Sequence, residues 1–244
     1  MRVILNILAF ALVIVMNTLA VTLPLNNQST GEISDRLDIM LTPAGYVFSI
    51  WSLIYLLLGI WVLRQIPKAR RDLPLYTRTS GWFILNCLFN SLWIVMWHYN
   101  YFGISVLVMA GILLTLIALY KRVKSTDPSL LDQAPFSIYL GWISVAAIVN
   151  VTYYLTEIGF DGFGIPDIVW ASLGLAAATI LAYWFRTKEN DFLYPLVIVW
   201  AFIGIGVKNM DEHSGYAYAA YAAYALAVII FLFDVFYRRK KVTA

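Results

Sequence analysis

Four helical stretches of this chain carry aromatic rings and amides at spacings that place them on one face. Trp82, Asn86, Asn90, Trp93 and Trp97 follow i, i+4, i+8, i+11, i+15. Tyr139, Trp142, Ala146, Asn150 and Tyr153 follow i, i+3, i+7, i+11, i+14. Phe48, Trp51 and Tyr55 follow i, i+3, i+7, and Asn6, Phe10 and Asn17 follow i, i+4, i+11. Positions three or four apart lie on the same side of a helix. Such faces offer flat π surfaces and a few amide partners, with no full charge among them. That chemistry suits a flat, largely apolar, ring-shaped ligand held by stacking. It suits ion transport badly, because ion pathways need carboxylates or bases inside the membrane.

The same residues have a plainer use. Each Asn can bond across to a neighbouring helix and act as packing glue. Tryptophans near the ends of spans form an interfacial belt, which accounts for Trp61, Trp82 and Trp97 but poorly for the deeper Trp93. An aromatic-lined cavity and a closed aromatic core therefore both stand at this level.

Other chemistry is not encoded. There is no Ser-His-Asp set, no Cys/His cluster and no phosphate loop. Cys87 is the single cysteine, so no intramolecular disulfide forms. His98 and His213 lie far apart. Asp234 is the only acid well inside an apolar run, and it lies one turn before a terminal basic cluster, so a structural pairing is expected for it. No catalytic residue, metal site or required cofactor is expected, and no nucleic-acid partner. The chain is read as a binding protein, not an enzyme.

The elements that position these faces follow from composition. Of 244 residues, 61% are hydrophobic and 13% charged. Soluble domains are about 45–50% apolar and about 25% charged. The chain is therefore an all-α polytopic membrane protein, with the lipid bilayer as its surroundings. Eight apolar stretches are long enough to span, near Val3–Leu23, Ala44–Leu63, Gly81–Trp97, Gly103–Tyr120, Phe136–Leu155, Ile168–Phe185, Phe192–Val207 and Tyr216–Phe236. The seventh is short enough to read also as re-entrant. Of 17 Lys and Arg, only Arg36 and Lys208 fall on the side opposite the rest. Cytoplasmic loops collect basic residues, so both termini are expected in the cytoplasm, with a bacterial cell membrane as the expected location. The first stretch also fits a signal peptide, with Arg2, an apolar core and small residues near Ala20; its length and its Asn6 and Asn17 favour retention.

The external loop "LPLNNQSTGEISDRLDIMLTPAG" reads either as a solvated acidic connector or as a lid that packs down. Gly174, Ala178 and Ala182, and again Ala219, Ala223 and Ala227, form small-residue ridges that let helices approach closely. They serve packing within the chain or a homodimer interface.

Three segments resemble the TspO/MBR family of tryptophan-rich sensory proteins and translocator proteins. "TPAGYVFSIWSLIY" resembles the family's second-helix start, "FNSLWIVMW" its third helix and "PFSIYLGWISVAAIVN" its fifth. In the last, Tyr139, Trp142, Ala146 and Asn150 match position by position. Tyr46 stands where the family usually has Trp, and Glu157 stands where its cholesterol motif needs a basic residue. The resemblance implies a five-helix bundle over residues 1–157, with residues 158–244 adding a three-helix membrane segment. It also implies a tetrapyrrole ligand of porphyrin or haem type, bound by a sensor, regulator or transporter. The implied site is Tyr46, Phe48, Trp51, Tyr55, Asn86, Asn90, Trp93, Tyr139, Trp142, Ala146 and Asn150. Within it Trp51, Trp93 and Trp142 stack, and Asn90 and Asn150 orient. A permease subunit or scaffold without a pocket, and a porphyrin-degrading enzyme, are the alternatives.

Overall fold

A computed structural model describes residues 1–22, 25–211 and 216–242. Leu23, the expected end of the first span, and His213 lie outside the described residues. Eight helices are long and apolar enough to cross a membrane. They are α1 (Arg2–Thr22), α2 (Ile50–Leu63), α3 (Ser80–His98), α4 (Phe102–Lys124), α5 (Leu130–Glu157), α6 (Asp167–Lys188), α7 (Leu193–Asp211) and α8 (Ala217–Val242). A 3-10 turn, Gly45–Ser49, leads into α2. No strand occurs among the described residues. In hydrocarbon every backbone polar group needs an internal partner, which a helix supplies from its own chain. The molecule is an all-α polytopic membrane protein.

The seventh span is a continuous helix of 19 residues, not a re-entrant one. Asp191 starts it, its Oδ1 accepting from the backbone N–H of Leu193 at 2.9 Å and of Tyr194 at 3.3 Å. The α3–α4 hairpin turns at Asn100, whose φ of 61° is left-handed. α5 begins six residues before the expected Phe136 and carries Pro135 inside it.

The chain forms two compact units. They differ from the division at residue 157, which follows where the family motifs end. The first unit is Met1–Arg36 with Ile50–Ile143, and the second is Leu37–Ser49 with Ser144–Ala244.

In the first unit α1 packs on α3 and α2, and α3 packs on α4. Buried amides tie these helices together. Asn6 Nδ2 donates to Gln65 Oε1 at 2.7 Å and to Ser80 Oγ at 2.8 Å. Trp61 is not a belt residue: it is 0% exposed. Tyr76, Phe83 and Phe136 surround it with ring centroids 5.2, 5.1 and 5.1 Å away. The short helix Pro74–Thr77 supplies Tyr76, so a loop covers what would otherwise be an interfacial span end. Trp97 is also buried, stacked on Trp93.

The first half of the external loop packs down on this unit. Ser29 and Glu32 form a capping box for the turn Thr30–Ser34. The Ser29 backbone and hydroxyl hold the Glu32 carboxyl below its ordinary range. Asn26 Nδ2 donates to the His98 carbonyl at 3.0 Å, and Trp97 Nε1 to the Thr30 carbonyl at 3.4 Å. Arg36 reaches Asn100 Oδ1 at 3.1 Å.

The second unit packs α6, α7 and α8 pairwise. Ala178, Ala182, Ala219, Ala223 and Ala227 are all buried, so the two small-residue ridges serve packing within the chain. Asp234 has the structural pairing expected of it, with Arg186, and the Arg186 guanidinium lies 4.7 Å from the Tyr237 ring centre. The segment Leu37–Ser49 is bound here through its backbone. Asn209 Nδ2 donates to the Met40 carbonyl at 2.9 Å, and Trp200 Nε1 to that of Val47 at 3.2 Å. The Ala44 N–H donates to the Gly204 carbonyl at 3.0 Å. Gly204 permits this approach, since a Cβ there would lie 2.1 Å from Val47 Cγ2.

Candidate functional site: an aromatic and amide cluster

Trp51 is the centre of the site in the first unit. It sits on α2, one turn before Tyr55, and the two rings stack with centroids 5.4 Å apart and planes 18° apart. Residues i and i+4 share a helix face, which makes this contact local. Two rings from α5 meet Trp51 by their edges or faces, Tyr139 at 5.7 Å and 68° and Trp142 at 6.3 Å and 86°. Edge-to-face pairs set the positive ring edge against the negative π face.

A chain of amides supports the rings. Asn17 Nδ2, on α1, donates to Asn90 Oδ1, on α3, at 3.0 Å. Asn90 Nδ2 donates to the Tyr139 hydroxyl at 2.8 Å. The buried Tyr55 hydroxyl lies beside Asn90 and makes no hydrogen bond of normal geometry. Four helices thus converge on one cluster. Tyr139, Trp142 and Asn90 are each 2% exposed, whereas Trp51 and Tyr55 are half-buried. Whatever approaches the cluster meets Trp51 and Tyr55 first.

The remaining expected residues lie elsewhere. The Asn86 amide donates to the Ile112 carbonyl at 3.1 Å and to Thr115 Oγ1 at 2.8 Å, binding α3 to α4. Trp93 stacks on Trp97 at 5.4 Å. The single stripe read on α3 therefore serves three neighbours. A helix has 3.6 residues per turn, so steps of four drift by about 40° each, and successive stripe members reach different helices. Four expected residues belong to the second unit. There Tyr46 is 46% exposed and meets Trp200 edge-on at 5.5 Å and 84°. Phe48 and Ala146 are half-buried, and Asn150 is buried.

Two residues outside the expected set matter. Asn17 was legible as part of the α1 stripe, and it anchors Asn90. Trp200 lies on α7 at no aromatic spacing, so nothing in the sequence pairs it with Tyr46.

No acid, histidine or cysteine ring of metal-binding type occurs among the described residues. The cluster can stack, and it can accept or donate neutral hydrogen bonds. These properties define a polytopic membrane protein with an aromatic, uncharged cluster between its helices. The chain belongs to the TSPO-like protein family, whose model matches residues 3–236. The match runs through all eight spans, so the last three helices fall within it. No curated protein and no solved structure matches the chain.

Proposed function

We propose that this protein binds a planar, hydrophobic ligand of the tetrapyrrole type at the Trp51 cluster, as a sensor, regulator or transporter rather than an enzyme. One observation carries the reading: Trp51 keeps part of its surface open while Tyr139 and Trp142 fix it from two sides and the Asn17–Asn90–Tyr139 chain holds those rings in place. Rigid stacking surfaces bind flat ligands without the entropy cost of ordering them. Porphyrin or haem is the candidate ligand, not a resident cofactor. Every ring and amide of the cluster lies within residues 1–157. The gathering of basic residues in alternate loops supports a reading with both termini on the cytoplasmic side of a cell membrane.

A scaffold without a ligand is the second reading. It is favoured by Asn90, whose amide is bonded on both sides within the protein, as packing glue would be. Incubation with protoporphyrin in detergent separates the readings. A stable shift of the porphyrin absorption is expected. An unchanged spectrum favours the scaffold, and new absorbing products favour a degrading enzyme.

A further inference from the structure

The loops joining α2 to α3 and α4 to α5 enclose a cleft of about 540 Å³ on the face where basic residues gather. Arg70, Leu73 and Arg78 stand on one wall, and Thr126, Asp127 and Asp132 on the other. Its own lining sets two arginines against two aspartates, and Arg64 at its edge adds a further positive charge. Asp132 is taken by two guanidinium groups: Arg64 Nε at 3.1 Å and Arg70 Nη2 at 3.2 Å. The Ser129 hydroxyl also donates to Asp132, at 2.6 Å. The hydrogen bond to Asp132 raises the Arg64 pKa further. One carboxylate thus answers two cations.

Arg78 adds a third cation. It is exposed, and its guanidinium has no partner among the described residues. Arg70 Nε is buried and makes no hydrogen bond, although the rest of that group is engaged. Besides Asp132, Asp127 opposes them, exposed at a left-handed turn with φ 49°. With Arg64 bonded to Asp132 at its edge, the cluster carries three guanidinium groups against two carboxylates, and the Arg78 guanidinium is the donor left open to the cleft. Leu73 in the cleft and Leu130 and Leu131 beside it are all exposed, so the lip is apolar. Arginine forks match the oxygens of phosphate. Basic pockets at span ends take anionic lipid head groups.

We propose that this cleft binds a phosphate group, delivered by an anionic phospholipid or by a soluble phosphate compound. The site is separate from the Trp51 cluster, and the proposal does not depend on a tetrapyrrole ligand.

The test uses the full chain in detergent and calorimetric titration. The probes are dioctanoyl phosphatidylglycerol, inorganic phosphate and dioctanoylglycerol, the last sharing the acyl chains without the phosphate. Phosphatidylglycerol is expected to bind and dioctanoylglycerol not to. Arg78→Gln should weaken binding by about tenfold, the effect of losing charge-assisted hydrogen bonds. It should leave the thermal midpoint unchanged, because Arg78 holds nothing in the fold. Asp127→Asn should strengthen binding, and Lys121→Gln, a basic residue outside the cleft, should not matter. Tighter binding of the lipid than of inorganic phosphate assigns a head group, and the reverse order assigns a soluble ligand. Equal binding of phosphatidylglycerol and dioctanoylglycerol overturns the proposal. So does an Arg78→Gln variant that binds like the parent, or one that loses no more than Lys121→Gln.

Discussion

Trp51 and Trp142 meet edge to face, their ring centroids 6.3 Å apart and their planes at 86°. They come from helices α2 and α5, so the contact exists only in the folded bundle. Tyr55 stacks on Trp51 from its own helix, and Tyr139 closes the group one turn before Trp142. An arrangement of this kind holds each ring in one orientation. It is the physical basis of the proposed stacking site.

The amide chain behind the rings should be measurable. Asn90→Ala and Tyr139→Phe each remove the 2.8 Å bond between these residues. Interhelical hydrogen bonds in membranes contribute about 0.6 kcal/mol on average and about 1.7 at most. A double-mutant cycle, read by denaturant titration in micelles, should give a coupling energy in that range. Strict additivity of the two losses would show that the bond contributes nothing to the cluster.

Gly204 should be hard to replace. Its missing Cβ leaves room for Val47 and Pro43 of the Leu37–Ser49 segment. Gly204→Ala is expected to destabilise by about 1–3 kcal/mol, the usual cost of overpacking. Val47→Ala in the same chain should recover part of that loss, because Val47 is the closest obstacle. Thermal melts of the two variants in detergent check this, and a Gly204→Ala protein as stable as the parent would refute the close approach.

The placement of the basic loops predicts a topology. Cysteines at Ala69 and Glu157, both exposed, should label differently with an impermeant reagent in a Cys87→Ser background. Glu157 should react in intact cells and Ala69 only after lysis. Ser34 is a poor reporter of the outer side, since it is 3% exposed. Equal labelling of Ala69 and Glu157 in intact cells would contradict the orientation.

The spans and several contacts were legible in the sequence, for physical reasons. Apolar length marks a membrane helix whatever its neighbours, so all eight spans could be placed. Trp51, Tyr55, Tyr139 and Trp142 were readable as a group because their spacing keeps them on the inner faces of α2 and α5. Trp61 was misread because its place near a span end suggests a belt, and only the fold reveals that Tyr76 covers it. Asn86 and Asn90 look alike in sequence, one turn apart. Which helix each amide reaches depends on the drift of the stripe around α3, and that is set by tertiary packing. Trp200 carried no signal, since its partners, Tyr46 and the Val47 carbonyl, lie over 150 residues away.

Porphyrin titration of tryptophan variants tests the binding reading most directly. Protoporphyrin is added to the parent chain, Trp51→Ala, Trp142→Ala and Trp184→Ala, and its absorption shift gives each affinity. Trp61 is no control, because removing a fully buried indole costs about 3–5 kcal/mol of stability. Trp184, on α6 and 42% exposed, takes that role. Stacking on an indole contributes about 0.5–1.5 kcal/mol beyond the area it buries. Trp51→Ala should therefore weaken binding about tenfold or more. Trp142→Ala removes the buried ring that positions Trp51 and carries a stability cost like that of Trp61, so it should weaken binding in protein that stays folded. Trp184→Ala should leave binding nearly unchanged. Equal affinities for all four proteins, or equal losses in the three variants, would contradict a ligand site at Trp51.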